Sequence, residues 1–141
     1  MKIKLVKLNN ISNYEQWLQQ TVSSLDLLSG LSTNLLNLLH ERDALGSVQI
    51  SEHVIMPHIV THEITESIVI VSQLNKPVSY FTSNGINTAI YIFSCPDDSS
   101  IISLVNCLVD EKIISSLQDP TLSSKELEKL FNLSVGEKDA F

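Results

Sequence analysis

Two stretches, Ile68-Val-Ile-Val71 and Ile90-Tyr-Ile-Phe93, are apolar at every position. A strand that is apolar at both parities must be covered on both faces, because successive side chains point to opposite sides of a sheet. The segments around them have a different period. Tyr14, Trp17, Leu18, Val22, Leu25 and Leu28 recur at helical spacing upstream, and so do Ile101, Leu104 and Leu108, then Ile113, Ile114 and Leu117, downstream. Helices on either side of doubly buried strands predict one architecture: an α/β (α+β) domain of three layers, a mixed central β-sheet with helices on both faces. A chain of 141 residues with 43% hydrophobic content fits one such core.

The remaining elements follow from local signals. Lys2-Ile-Lys-Leu-Val-Lys-Leu8 alternates with a period of two and reads as the first strand. Ser12-Asn-Tyr-Glu15 has the form of a capping box for the first helix, which Gly30 is expected to stop. Ser32 or Thr33 is expected to cap a second helix that ends at Gly46 and carries His40, Arg42 and Asp43 near its C-terminus. Further strands are read at Val54-Ile-Met, Ser67–Ser72, Pro77–Tyr80 and Thr88–Phe93, with turns at Asn75-Lys-Pro and Ser83-Asn-Gly. A last helix opens at a second capping box, Ser123-Ser-Lys-Glu126. The domain is read as 1–133 and Ser134–Phe141 as a polar C-terminal tail.

Charge and composition remove several function classes. The net charge of −7 repels phosphate backbones and anionic lipid, so direct nucleic-acid binding and membrane-surface binding are not expected. No apolar run approaches the roughly 20 residues of a membrane span, and Met1-Lys-Ile-Lys leads into no secretory signal, which predicts a cytoplasmic protein. Cys95 and Cys107 lack CxxC spacing and read as reduced, structural thiols. Neither GxGxxG nor GxxxxGK[ST] occurs, and no GxSxG elbow is present. His53, His58 and His62 lie close in sequence, but their spacing across Pro57 aims the rings at no common point, so no metal and no cofactor is expected.

What remains is the phrase Glu41-Arg-Asp-Ala-Leu-Gly-Ser-Val-Gln-Ile-Ser-Glu-His-Val-Ile-Met-Pro-His58, which ends a helix, turns at Gly46 and sets a histidine directly after a short strand and a proline. Pro57 fixes its own φ and biases Met56 toward extended backbone, so His58 leaves the strand end in a defined direction. The phrase resembles the active-site signature of the fructose/mannitol-type (type 2) enzyme IIA domain of the bacterial sugar phosphotransferase system. There, a helix ending in Arg-Glu and a Gly-Ser-Thr turn lead to Gly-Ile-Ala-Ile-Pro-His; here the pieces read Arg42-Asp43, Gly46-Ser47-Val48 and His53-Val-Ile-Met-Pro-His58. The N-terminal strand and helices, the Leu74-Asn-Lys-Pro-Val78 stretch and the C-terminal helices extend the resemblance over nearly the whole chain.

The resemblance implies that His58 accepts a phosphoryl group from phospho-HPr and passes it to a cysteine of a IIB component or domain. Arg42 would supply a permanently charged bidentate donor and Ser47 a hydroxyl; the plainer role of Arg42 is to complement the helix C-terminus. A regulatory version, fused to the domains of a phosphotransferase-regulated transcription regulator, is the alternative, and a pure interaction domain is a third. The chain departs from the family pattern in Asp43 for Glu, in Val48 for the turn threonine, and in Pro96-Asp-Asp-Ser-Ser100, where many members carry a second histidine. His58 is expected in a shallow cleft with Arg42 within reach, a rim at Met56, Ile59 and Val60, and a gain in transfer rate from Val48→Thr.

Overall fold

A computed structural model describes the backbone of residues 1–139 and the side chains through Asn132. Strands β1 (Lys2–Leu8), β2 (Gln49–Ser51), β3 (Val54–Ile55), β4 (His58–Val60), β5 (Ile68–Tyr80) and β6 (Ser83–Ser94) form one mixed sheet. Helices α1 (Tyr14–Ser23) and α2 (Ser29–Ala44) lie between β1 and β2 in sequence; α3 (Ser99–Cys107), α4 (Glu111–Leu117) and α5 (Ser124–Asp139) follow β6. The strand order is β1-β5-β6-β3-β2, with β4 also on β6. The β1/β5, β3/β6 and β4/β6 pairs are parallel and β5/β6 and β2/β3 are antiparallel.

The period-two alternation of β5 and β6 divides the interior into two cores. Ile68, Ile70, Ala89, Tyr91 and Phe93 pack with Trp17, Leu18, Leu35 and Leu39 of α1 and α2. Val69, Val71, Ile90 and Ile92 pack with Ile101, Leu104, Ile114, Leu117, Leu127 and Phe131 of α3 to α5. This is the three-layer arrangement expected from the apolar runs, and each fully buried aliphatic or aromatic side chain contributes about 1.5–3 kcal/mol. The one polar group of Trp17 is satisfied: its Nε1–H donates to Ser72 Oγ at 2.8 Å.

Several local expectations are corrected. Asn13, not Ser12, caps α1: its side chain accepts from Gln16 N at 2.8 Å, while Gln16 Oε1 accepts from Ser12 N at 2.7 Å. The capping box is shifted by one residue because Ser12 and Asn13 are both competent caps and both have a partner three residues on. Gly30 does not stop this helix, which ends at Ser23; the chain reverses through Asp26 (φ 52°), and Gly30 lies inside α2. α2 starts at Ser29, ahead of Ser32 and Thr33, with no side-chain cap.

Asn75-Lys-Pro77 is not a turn but the middle of β5, where the register against β6 shifts between Gln73 and Val78. Pro77 is tolerated there because β1 pairs with β5 only as far as Leu74. The hairpin reverses at Phe81-Thr82 rather than at Ser83-Asn-Gly, with Tyr80 paired to Ser83 and Phe81 at φ 51°. The second capping box is in place, with Ser123 Oγ accepting from Glu126 N at 3.1 Å and donating to Glu126 Oε1 at 2.9 Å. Of the stretch read as a polar tail, 134–139 continue α5, and 140–141 lie outside the described residues.

Candidate functional site

The strand beside β6 is built in two pieces. Val54 pairs with Thr88 and His58 with Ile92, four residues further along both strands, so β3 and β4 keep one register across the gap. The gap is Met56-Pro57. Pro57 has no N–H to give to the ladder, although its carbonyl accepts from Ile92 N at 2.9 Å. The Met56 N–H turns the other way and donates to Val48 O at 3.0 Å. That bond ties the turn after α2 to the residue pair in front of His58.

His58 is therefore the first residue of β4, half-buried, with its backbone fixed on one side by proline and on the other by pairing. It shares a sheet face with its partner Ile92 and with Ser94 two residues on, the face covered by α3 to α5. Its Nε2 lies 2.9 Å from Ser94 Oγ. Burial lowers its pKa below the ordinary histidine value of 6.5, so the imidazole is neutral at neutral pH and retains a nucleophilic lone pair.

Arg42 precedes, and Ser47 lies on, the turn that leads into β2. Arg42, in the last turn of α2, donates from Nη1 to Gly46 O at 3.3 Å. Gly46 has φ +127°, a conformation that L side chains rarely adopt, which is why the chain leaves the helix there. Ser47 Oγ accepts from Gln49 N at 3.1 Å. The Arg42 bond ends on the turn, the Ser47 side chain also meets the Tyr80 hydroxyl, and the ring of His58 is held by Ser94. Two tyrosines brace the turn: Tyr14 donates to Asp43 Oδ2 at 2.8 Å, and the Tyr80 hydroxyl accepts from Val48 N at 2.8 Å. Burial raises the Asp43 pKa, and the Tyr14 hydrogen bond offsets part of that rise.

Two expectations for the surroundings are corrected. The Val48 side chain is 8% exposed and belongs to the core under α1 and α2, so it does not point into the site. Ile59 is 7% exposed and belongs to the same core, leaving Val60, at 57%, as the exposed neighbour; half-buried Met56 packs toward the opposite core. The alternation of a strand explains the pair, since residue 59 faces opposite to 58 and 60.

In the segment lacking the second histidine, Asp98 caps α3, accepting from Ser100 N at 3.0 Å and from the Ser67 hydroxyl at 2.5 Å. The Ser67 bond is the main reason its carboxyl is held below the usual range. Elsewhere, His53 places Nδ1 2.8 Å from Gly85 O, His40 lies on Glu15, and Cys95 and Cys107 are not joined in a disulfide. Sequence reasoning missed Ser94 and Tyr80. The available signal was a hydroxyl ending an otherwise apolar buried strand, and a tyrosine at a buried position of a ribbon tip.

Residues 1–132 match the family described as phosphoenolpyruvate-dependent sugar phosphotransferase system, EIIA 2. No curated protein sequence matches the chain. Among solved structures, the nitrogen regulatory protein IIA-Ntr of Neisseria meningitidis is similar with a TM-score of 0.71 at 14% identity, over 91% of this chain and 92% of that one. IIA mannitol of Escherichia coli gives 0.62 at 18% identity, over 90% and 94%. The Escherichia coli complex of enzyme IIAMTL with phosphorylated enzyme IIBMTL gives 0.62 at 18%, over 90% and 92%. At these identities the structural likeness establishes the fold, and the match over 132 residues establishes the family: the chain belongs to the EIIA 2 family of the phosphoenolpyruvate-dependent sugar phosphotransferase system.

Proposed function

We propose that the chain is a phosphocarrier whose acceptor is His58, taking a phosphoryl group from phospho-HPr and passing it to a cysteine of a IIB component in the cytoplasm. The observation that carries this reading is the placement of His58: a neutral, half-buried imidazole at the start of a strand, directly behind a proline and beside an exposed Val60. A carrier histidine must be neutral to attack phosphorus and open enough to meet a second protein, and both conditions hold here. In the first step a ring nitrogen of His58 forms an N–P bond as the donor's N–P bond breaks, its electron pair returning to the donor ring. In the second step the IIB thiolate forms an S–P bond as the His58 N–P bond breaks, the electron pair returning to the His58 ring. Arg42 lies in the last turn of α2, five residues before Ser47, and Ser47 lies on the loop fastened to Met56 through the Met56 N–H. They are the groups to neutralise and orient the phosphoryl oxygens, because phosphoryl transfer rests on positioning and charge stabilisation. The unit that does this is residues 1–133, free or joined to other domains.

A regulatory role, in which His58 is phosphorylated without passing the group to sugar, is favoured by Pro96–Ser100. That stretch holds no histidine, and its Asp98 is committed to capping α3. Incubation with phosphoenolpyruvate, enzyme I and HPr is expected to label the protein, and His58→Ala to abolish the label, while His40→Ala, His53→Ala and His62→Ala retain it. Label that persists in His58→Ala rules out this acceptor. Addition of a IIB component then separates the two roles, since loss of label to IIB marks the transport carrier.

A further inference from the structure

We propose that Ser94 is a positioning residue for phosphoryl transfer, holding the His58 imidazole in one orientation and one tautomer before a partner protein arrives; this rests on the reading of His58 as the acceptor. Ser94 ends β6, is 3% exposed, and follows Ile90 and Ile92 on the face covered by α3 to α5, where packing asks for an apolar side chain. A hydroxyl buried without a partner costs free energy, so its presence there calls for a bond. Two hydrogen-bonding partners are in range: His58 Nε2 at 2.9 Å and Ile59 O, an acceptor, at 3.5 Å. The second is at the limit of a hydrogen bond and the first is of ordinary length, so the ring is the partner that satisfies Ser94.

The consequence for the ring is specific. A half-exposed histidine held only by its backbone turns about its terminal torsion and divides its proton between two nitrogens. With Nε2 engaged by a hydroxyl from a strand buried on both faces, the tilt is set by a rigid element. The tautomer is set by the direction of that one hydrogen bond. The alternative groups do not serve this end: Asp98 is occupied by Ser67 and Ser100, and Arg42 by Gly46.

The experiment measures phosphate uptake from phospho-HPr and the nitrogen-15 shifts of the His58 ring in the full-length protein, its Ser94→Ala variant and its Ser94→Thr variant. Ser94→Ala is expected to slow uptake about tenfold, the effect of one lost hydrogen bond on an ordered group. It is also expected to move the ring shifts toward those of a tautomer mixture, with Ser94→Thr restoring both. Unchanged uptake in a folded Ser94→Ala protein, or slowed uptake with unchanged ring shifts, overturns the proposal. So does an even tautomer mixture in the unaltered protein, a result that does not depend on whether any variant folds. His58→Ala in the same assay isolates the underlying reading: label retained there refutes the acceptor assignment, whereas label lost there with no effect at Ser94 refutes only the positioning role.

Discussion

The β5–β6 pair and the strand that lies against it are built on opposite plans. β5 and β6 are long and covered on both faces through Ile68–Val71 and Ile90–Phe93. β3 and β4 have two and three residues, are separated by Met56-Pro57, and owe their common register entirely to β6. The continuous pair supplies rigidity; the interrupted strand uses that rigidity to present one imidazole at a break in the ladder. Continuity and interruption thus fall to neighbouring strands.

The contrast is sharpest across one peptide bond, between Ile59 and Val60. Ile59→Asp buries a carboxylate in the core beneath α1 and α2 and is expected to destabilise the fold by about 4 kcal/mol or more, read by chemical denaturation. Val60→Asp, on an exposed position, is expected to leave stability within about 0.5 kcal/mol while slowing uptake from phospho-HPr by placing a like charge in the partner's path. Equal loss of stability in both variants would show that residues 59 and 60 are not on opposite faces.

A smaller effect comes from acid. Since burial holds the His58 pKa below its unfolded value, the unfolded chain takes up the proton first as pH falls past about 6.5, and folding stability declines from that point downward. His58→Gln is expected to remove this part of the slope and leave the neutral-pH stability nearly unchanged. A slope identical in both proteins would mean that the ring is not desolvated. The smallest effect is expected at Val48. Because its side chain packs in the core, Val48→Thr brings a hydroxyl into apolar surroundings, costing about 1 kcal/mol with no gain in transfer rate. A faster variant would require the residue 48 side chain to turn toward the site.

The layers were legible because Ile68–Val71 and Ile90–Phe93 exclude every fold that wets a sheet face, and the helical periods on either side supply the covers. The position of His58 at the start of a strand was legible through Pro57. Capping at Asn13 was not, because two adjacent cap residues offer equivalent frames and only tertiary packing selects one. The hairpin reversal at Phe81-Thr82 was hidden for a different reason: a left-handed residue there is ordinarily Gly or Asn, whereas Phe81 is held by an edge-on contact with Tyr80 at 4.7 Å. Val48 and Ile59 were misplaced because motif spacing states which residues are near a site and not which way they point. Ser94 escaped because its role depends on a partner 36 residues away.

The hydrogen bond from Val48 N to the Tyr80 hydroxyl has a consequence for how the loop opens. Tyr80 sits beside the tip of a two-stranded ribbon that extends past the end of β1. An amide closed by that hydroxyl exchanges with solvent only when the ribbon tip lifts, so the Val48 proton acts as a clock for a motion at the far end of the hairpin. Each such opening removes one backbone tie of Val48 and leaves the bond from the Met56 N–H to hold the segment that carries Ser47.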